Sequence, residues 1–263
     1  MHCIYSELET IYMSLTEEYK KQCDWRNWET YLDKLPISQN DTILDLGCSI
    51  GTVTSLLANK AKYVIGIDIN PKLIEEAKKS NSAKNIDYII SDLNNIRKLD
   101  LPNVDGIWTS FLAAYFPDFD SALRSWLPFL KSEGWIGIVE MADLFAHTPL
   151  SQTTHDIFKE YYLRQLKNGT YDFEMGFKIK DSVIKSCLSI IHEENTEDQE
   201  LTFSGPAEQR ILKAWGLRFD RMTVFKEYLG DTNFLKIKKE FLDCLSNTDH
   251  KSKTIIKYIV TRK

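Results

Sequence analysis

The chain has 263 residues, which allows one large domain or one domain with an insertion. Its net charge of −5, from 33 basic and 38 acidic residues, argues against a large nucleic-acid-binding surface. No apolar run approaches the ~20 residues of a membrane-spanning helix, and the N-terminal segment lacks a signal-peptide layout, so we expect no membrane association. The five cysteines are scattered, so we expect reduced thiols, a cytoplasmic protein and no zinc site.

Residues 1–36 are predicted to form a helical leader. Apolar side chains recur at three- and four-residue spacing in its first half, and its second half is rich in aromatic residues. Pro36 is expected to end the leader, because the residue before a proline is disfavoured in a helix.

The next segment contains the most informative pattern in the sequence. A short apolar strand carries Asp45 and ends in a turn with small residues at alternate positions, namely Gly47, Ser49 and Gly51. A helix with apolar spacing follows, and a second apolar strand ends at Asp68. This strand–turn–helix–strand unit is typical of nucleotide-binding folds, in which a helix N-terminus lies beneath the ligand. Its spacing differs from the G-x-G-x-x-G of dinucleotide-binding enzymes.

An acid two residues before the first glycine resembles motif I of class I S-adenosylmethionine (SAM) methyltransferases. The resemblance implies that Gly47 and Gly51 let the backbone approach the methionine part of the cofactor. The family usually has a further glycine where this chain has Ser49, and a serine is small enough to fit there. Asp68, with Ile69 beside it, is expected to accept hydrogen bonds from the ribose hydroxyls.

The third and fourth predicted strands supply further positions that match the family. Asp92, just past the third strand, is expected to accept a hydrogen bond from the adenine amino group, and the backbone of Leu93 to donate one. Ser110 and Phe111 follow the fourth strand and are expected to contact the sulfonium end of the cofactor. Tyr115 is expected to face the same pocket as a candidate catalytic residue, the alternative being core packing.

An aromatic-rich leader before motif I resembles the lid of small-molecule methyltransferases. Its residues Tyr19, Trp25 and Arg26 are therefore predicted to hold the carboxylate end of the cofactor. The alternative is that this segment is a plain packing helix.

Three titratable side chains follow the fifth predicted strand, at the edge where open α/β sheets bind ligands: Glu140, Asp143 and His147. One of them is expected to act as a general base for the methyl acceptor. His147 is the first choice, because an unperturbed imidazole has a pKa of ~6.5. Asp143 and then Glu140 follow, and the alternative for His147 is an exposed or helix-capping role.

The predicted fold is α/β: a Rossmann-like, seven-stranded, mostly parallel sheet with helices on both faces. The predicted divisions are the leader (1–36), the SAM-binding core (37–206), a helical cap insert (207–247) and a closing edge strand (248–263) that runs antiparallel. The acidic stretch 193–200 is expected to be exposed.

The sequence therefore predicts a SAM-dependent methyltransferase that moves a methyl group by SN2 displacement to a nitrogen or oxygen of a small molecule. The segment after the fourth strand lacks the D/N/S-P-P-Y/F motif of nucleic-acid amino-methyltransferases, and the many aromatic side chains suit a small organic acceptor. We expect no metal and no nucleic-acid partner. The open alternatives are a protein or RNA methyltransferase, a non-catalytic SAM-binding protein and an NAD-dependent oxidoreductase.

Overall fold

A computed structural model describes residues 16–23 and 25–263 of the chain. The predicted leader positions 1–15 lie outside these residues. The described residues contain nine strands, in the order β1 (Thr42–Leu46), β2 (Tyr63–Asp68), β3 (Ile86–Ile90), β4 (Val104–Ser110), β5 (Leu130–Ala142), β6 (His147–Thr148), β7 (Ser189–Thr196), β8 (Lys251–Ser252) and β9 (Ile255–Arg262). The helices are α1 (described over 16–23), α2 (Trp28–Leu32), α3 (Thr52–Ala58), α4 (Pro71–Ser80), α5 (Phe119–Trp126), α6 (Gln152–Lys167), α7 (Met175–Lys185), α8 (Gln209–Arg221), α9 (Thr223–Leu229) and α10 (Asp231–Leu245).

Seven strands form one sheet in the order β3-β2-β1-β4-β5-β9-β7. The pairs among β3, β2, β1, β4 and β5 are parallel, and β9 is antiparallel to both of its neighbours. The predicted α/β, mostly parallel, seven-stranded sheet is confirmed. The order reverses direction between β1 and β4, and ligands of open α/β sheets bind at such a switch point.

The prediction that the closing strand lies at the sheet edge is wrong. β9 runs between β5 and β7, and β7 is the edge strand. The burial pattern agrees, because β9 is buried at most positions whereas exposed residues alternate along β7. The antiparallel direction of β9 is as expected.

The acidic stretch 193–200 is only partly exposed, contrary to expectation. Its first residues extend β7, and Lys257 of β9 pairs with Glu193 at 3.0 Å. Asp198 and Glu200 are buried, with 4% and 0% exposure. Buried carboxylates need cationic partners, and both bind arginines, as described below.

Helices cover both faces of the sheet, because adjacent residues of each strand point to opposite sides. Ile43 belongs to a hydrophobic cluster shared with α2, α3 and α4, whereas Leu44 belongs to a second cluster shared with α5 and α7. No helix in the described part of the chain is long and apolar enough to cross a membrane.

Helices α8 to α10 lie within the predicted insert 207–247, and the exact domain boundaries stay predictions. Their apolar faces surround Phe145, whose ring stacks on Phe158 of α6 at 4.3 Å. Four more aromatic rings complete this group: Trp215, Phe219, Phe225 and Phe241. The short antiparallel pair β6–β8 links the chain entering α6 to the chain leaving α10. We refer to α6 and α8–α10 together as the cap.

Candidate active site

A cavity of about 800 Å³ lies at the carboxyl ends of the parallel strands. Loops after β1, β2, β3, β4 and β5 form its floor, and α1, α6 and α8 contribute side chains from the leader and the cap. Its size falls within the range of small-molecule sites, which is roughly 300–1,000 Å³. The sheet therefore presents one ligand cavity at its switch point, covered by helices on the opposite side.

The loop after β1 has the geometry of a ligand cradle. Gly47 has φ +75°, and a Cβ at that position would lie 2.9 Å from the Leu112 side chain. Ser49 has φ +50°, and its N–H donates to Asp68 Oδ2 at 2.9 Å. Ser49 lines the cavity, and its buried Oγ has no hydrogen-bond partner among the described residues. An unpartnered hydroxyl on this wall fits a site that receives a polar ligand.

Gly51 does not line the cavity, contrary to its predicted role. It precedes α3 with φ +77°, and a Cβ there would lie 2.3 Å from the Tyr88 hydroxyl and 3.0 Å from Ala77. The Tyr88 hydroxyl is itself fixed, because it donates to the Asn81 carbonyl at 2.8 Å. This glycine is therefore required by the packing of α3 against β3 and α4, and not by the ligand.

Three predicted carboxylates come together on the cavity wall. Asp45 is buried and accepts a hydrogen bond from Thr54 Oγ1 at 2.6 Å, and burial raises its pKa to about 7. Asp68 accepts the N–H groups of Ser49 and Asn70, both at 2.9 Å, while burial raises its pKa. Asp92 accepts the Asn94 N–H at 2.9 Å.

The apolar residues predicted beside these acids also line the cavity. Ile69 is 65% exposed at the mouth, and Leu93 is buried. Ser110 and Phe111 close the end of β4, and Phe111 takes φ +53° while its N–H donates to the Val139 carbonyl at 2.8 Å. The sequence thus places these positions correctly on the ligand side of the sheet.

Tyr115 lines the cavity from the short helical turn Ala113–Tyr115. Its ring meets the edge of Tyr171 at a centroid distance of 4.8 Å, and 59% of the residue is solvent-accessible through the open cavity. The turn is held by the buried Glu140, whose carboxylate accepts the N–H groups of Ala114 at 3.0 Å and Met141 at 2.9 Å. Glu140 therefore supports Tyr115 and does not itself line the cavity.

The leader contributes Tyr19, Arg26 and Trp28 to the cavity wall, whereas Trp25 lies outside it. Trp25 is buried, with the Arg210 guanidinium 5.8 Å from its ring centre, so its predicted cofactor role is not supported. Arg26 lies 4.6 Å from the centre of the Phe111 ring. Trp28 lines the cavity and packs edge-on against Phe111 at a centroid distance of 6.2 Å.

His147 does not line the cavity, and its predicted role as general base is wrong. It is fully buried, and its Nδ1 lies 2.9 Å from His250 Nε2 in a stacked pair of rings. Burial, followed by the neighbouring His250, lowers its pKa to about 3. A shielded imidazole that resists protonation cannot take a proton from an acceptor in the cavity.

Asp143 is also outside the cavity wall. The chain turns there with φ +60°, and the backbone N–H donates to the Phe173 carbonyl at 2.8 Å. Burial raises the pKa of its carboxyl, and the Tyr162 hydroxyl bonds to it. The chain turns at Asp143, and β6, which carries His147, pairs with β8 outside the cavity wall.

Two arginines to which the sequence assigns no role also lie on the cavity wall. Arg218 and Arg221 are one helical turn apart near the end of α8, so they share one face of that helix. Arg218 pairs with Glu200 at 2.5 Å, and Arg221 pairs with Glu18 of α1. Their i, i+3 spacing is visible in the sequence, but nothing there shows that α8 returns over the strand ends.

Residues 44–138 match a protein family described as a methyltransferase domain. Phosphoethanolamine N-methyltransferase 3 of Arabidopsis thaliana is 23% identical over 235 residues, covering 80% of this chain and 47% of the relative. The ubiquinone biosynthesis O-methyltransferase of Nitrosospira multiformis is 25% identical over 150 residues, covering 56% and 61%. A 23S rRNA uracil-C5 methyltransferase of Vesicomyosocius okutanii is 38% identical over 65 residues, covering 24% and 15%. The chain spans less than two thirds of the length of each of these curated relatives.

Solved structures show the same architecture. A SAM-dependent methyltransferase from Mesorhizobium loti superposes with a TM-score of 0.54 at 18% identity, covering 90% of this chain and 97% of that chain. Coclaurine N-methyltransferase bound to N-methylheliamine and S-adenosylhomocysteine gives a TM-score of 0.55 at 17% identity, covering 90% and 71%. At these identities the likeness shows the fold, and the reaction has to be argued from the site.

Proposed function

This chain carries a methyltransferase domain with the Rossmann-like fold of class I SAM-dependent enzymes, and from it we propose a small-molecule N- or O-methyltransferase. The proposal rests on one observation: the same cavity is lined by the motif carboxylates and by aromatic rings. The carboxylates are those of Asp45, Asp68 and Asp92, and the rings are those of Tyr115 and Tyr171. One cavity thus offers polar groups for a nucleoside-like cofactor and an aromatic compartment for an organic acceptor.

The cofactor side fits SAM. Asp68 would hold the ribose hydroxyls, Asp92 and the Leu93 backbone the adenine, and the loop of Gly47 and Ser49 the methionine part. When bound, SAM supplies an electrophilic methyl group: the acceptor lone pair forms the new bond, sulfur keeps the electron pair of the broken S–C bond, and the acceptor proton leaves to solvent. The chain's main contribution is orientation, which is worth ~7–11 kcal/mol in well-aligned reactions.

The acceptor side contributes hydrogen-bond donors on a mostly aromatic wall. Burial raises the pKa of Tyr171, so its hydroxyl stays protonated at neutral pH and can donate a hydrogen bond. The Tyr115 hydroxyl is a second donor on this wall. Tyr115, from the end of β4, is the residue that we propose to orient the acceptor beside the methyl group. A neutral amine or a phenolate needs little further activation by the protein.

The relatives support a small acceptor over RNA. The Arabidopsis phosphoethanolamine enzyme matches 80% of this chain, whereas the rRNA enzyme matches only 24%. We also propose a cytoplasmic location, in keeping with the free thiols of the four described cysteines.

The test is incubation with methyl-labelled SAM and a panel of amines, amino acids and phenols, with separation into small-molecule and macromolecular fractions. The proposal expects label in a small-molecule product and stoichiometric S-adenosylhomocysteine. Label confined to added RNA or protein would replace it with the macromolecular alternative.

A further inference from the structure

The charged groups on the cavity wall are separated by sign. The carboxylates Asp45, Asp68 and Asp92 all lie in or after β1, β2 and β3. The guanidinium groups of Arg26, Arg218 and Arg221 come from the leader and from α8. The cavity is therefore lined by acidic side chains near the ends of β1–β3 and by basic side chains near the leader and the cap.

The carboxylates that pair with these arginines lie behind them. Glu200, Asp198 and Glu18 are 0%, 4% and 5% exposed, and they are not part of the cavity lining. Glu200 is shared, because it pairs with Arg218 at 2.5 Å and with Arg26 at 3.2 Å. A ligand in the cavity therefore lies closer to the guanidinium than to the carboxylate behind it. The attraction of an anionic ligand to the guanidinium then exceeds its repulsion by the carboxylate.

Arg218 is held in one orientation. Its hydrogen bond to Glu200 uses Nη2, and its guanidinium lies 4.5 Å from the centre of the Trp215 ring. A guanidinium has five N–H donors in a planar fork that suits carboxylate and phosphate oxygens. Because Arg218 is fixed from behind, it is preorganised to bind an oxyanion in the cavity.

Tyrosine side chains line the same cavity as Arg218. Tyr115 and Tyr171 line the cavity together, and the positive charge of Arg218 opposes the rise in the pKa of Tyr171 that burial causes. The charge of Arg218 also acts on Tyr19 of α1. A guanidinium and protonated phenols on the wall of one cavity can all donate hydrogen bonds to an anion.

We propose that the methyl acceptor carries an oxyanion group, a carboxylate or a phosphate, that binds Arg218 and Arg221 with help from the hydroxyls of Tyr115 and Tyr171. This inference rests on the proposed function. Arg26, which lies over Phe111 at the end of β4, keeps its predicted role at the carboxylate of the cofactor. The acceptor is thereby anchored at its anionic end under the cap, and its nucleophilic end faces the strand termini.

The first experiment measures binding of inorganic phosphate to the full chain saturated with S-adenosylhomocysteine, at constant ionic strength. The wild type is expected to bind, and Arg218→Gln and Arg221→Gln are each expected to bind at least about 10-fold more weakly, as for a lost charge-assisted hydrogen bond. Arg210→Gln is the matched control, because it lies on α8 outside the cavity wall and pairs with Glu208. It is expected to bind phosphate like the wild type.

Failure of the wild type to bind phosphate, or unchanged binding in both cavity variants, overturns the inference. A variant that loses S-adenosylhomocysteine affinity and keeps phosphate affinity would place its arginine at the cofactor and also overturn it. If Arg218→Gln does not fold because it leaves Glu200 with fewer partners, Arg221→Gln and the wild type still decide the result. Absence of S-adenosylhomocysteine binding by the wild type would instead contradict the proposed function.

The second experiment identifies the anion with matched acceptor pairs: phosphoethanolamine against ethanolamine, and 4-hydroxybenzoate against 4-hydroxybenzamide. The anionic member of a pair is expected to have at least a 10-fold higher kcat/KM, and Arg218→Gln is expected to raise its KM more than it lowers kcat. Preference for the neutral members overturns the inference. If no acceptor of either pair is methylated, the phosphate-binding experiment still tests the proposed oxyanion site.

Discussion

Asp45 shows how burial at a single residue sets the chemistry of this site. Its carboxyl is 2% exposed, it keeps one hydrogen bond from Thr54, and burial raises its pKa to about 7. It changes charge near neutral pH, unlike an ordinary aspartate. Because Asp45 lines the cavity, its charge contributes to the attraction between the cavity and a cationic ligand.

We therefore expect the affinity for S-adenosylhomocysteine, which carries an ammonium group, to rise with pH. The carboxyl is mostly protonated below pH 7 and ionised above it, so the dissociation constant should be about 10-fold larger at pH 6 than at pH 8. Calorimetric titration across this range measures the effect, and Asp45→Asn should abolish the slope. A flat profile for the wild type, or the same slope in Asp45→Asn, would exclude this role.

At the scale of secondary-structure elements, the contact between α3, β3 and α4 depends on Gly51. The glycine starts α3 with a positive φ, and the Tyr88 ring of β3 occupies the space that a side chain would need. The helix is short, with seven residues, so its position depends on packing more than on helix propensity. Its N-terminus leads directly into the cavity loop.

We expect Gly51→Ala to lower the free energy of unfolding by about 2–4 kcal/mol, since it combines an unfavourable φ with an overlap against Tyr88. Gly169→Ala is the matched control: Gly169 has φ +68° and nothing within 4 Å of an added Cβ, so it should cost only about 1 kcal/mol. Urea unfolding compares the two, and adding Tyr88→Phe should restore part of the loss in Gly51→Ala. If both variants lose the same free energy of unfolding, the overlap between the added Cβ and Tyr88 has no energetic cost, which would contradict this prediction.

At the scale of the whole molecule, the cap is joined to the sheet near a buried histidine pair. His147 of β6 and His250, just before β8, are 0% and 1% exposed, and the Nδ1 of His250 lies 2.9 Å from the Gly205 carbonyl oxygen. Trp215 of α8 and Phe241 of α10 pack against the His147 ring at centroid distances of 5.5 and 5.1 Å. Both imidazoles have lowered pKa values because burial disfavours their charged forms.

This pair should make the fold sensitive to acid. Above pH 6.5 His147 is neutral in both states and contributes nothing to the pH dependence. As the pH falls from 6.5 towards 3, the unfolded chain binds a proton that the folded chain excludes, so the free energy of unfolding should drop by about 2 kcal/mol by pH 5. Urea midpoints from pH 7 to 4.5 measure this slope.

The slope should be smaller in His147→Phe and unchanged in His155→Asn, a substitution on α6 outside the pair. Asp45 and Glu140, whose pKa values burial raises to about 7, contribute with the opposite sign. Their contribution is common to all three proteins, so the difference in slope isolates His147. An identical slope in His147→Phe and the wild type would rule out this source of acid sensitivity.

Features of the site that depend on local sequence were predictable, whereas those that depend on contacts between distant segments were not. The acids Asp45, Asp68 and Asp92 were predictable, because each lies at the end of a strand in a parallel sheet and the strand ends meet at one edge. The positions of His147 and Arg218 were not predictable. They depend on the turn at Asp143 and on the return of α8 over the sheet, and neither leaves a local signal.

Calorimetric titration of SAM and S-adenosylhomocysteine into the wild type and Asp68→Ala tests the central claim most directly, with Asp87→Ala, on β3 and outside the cavity wall, as the control. We expect micromolar binding by the wild type and the control. Binding to Asp68→Ala should be about 10- to 100-fold weaker, because two hydrogen bonds to a charged group are lost. Absence of binding to the wild type at millimolar ligand, or equal affinity in Asp68→Ala, would contradict the assignment of this cavity to SAM.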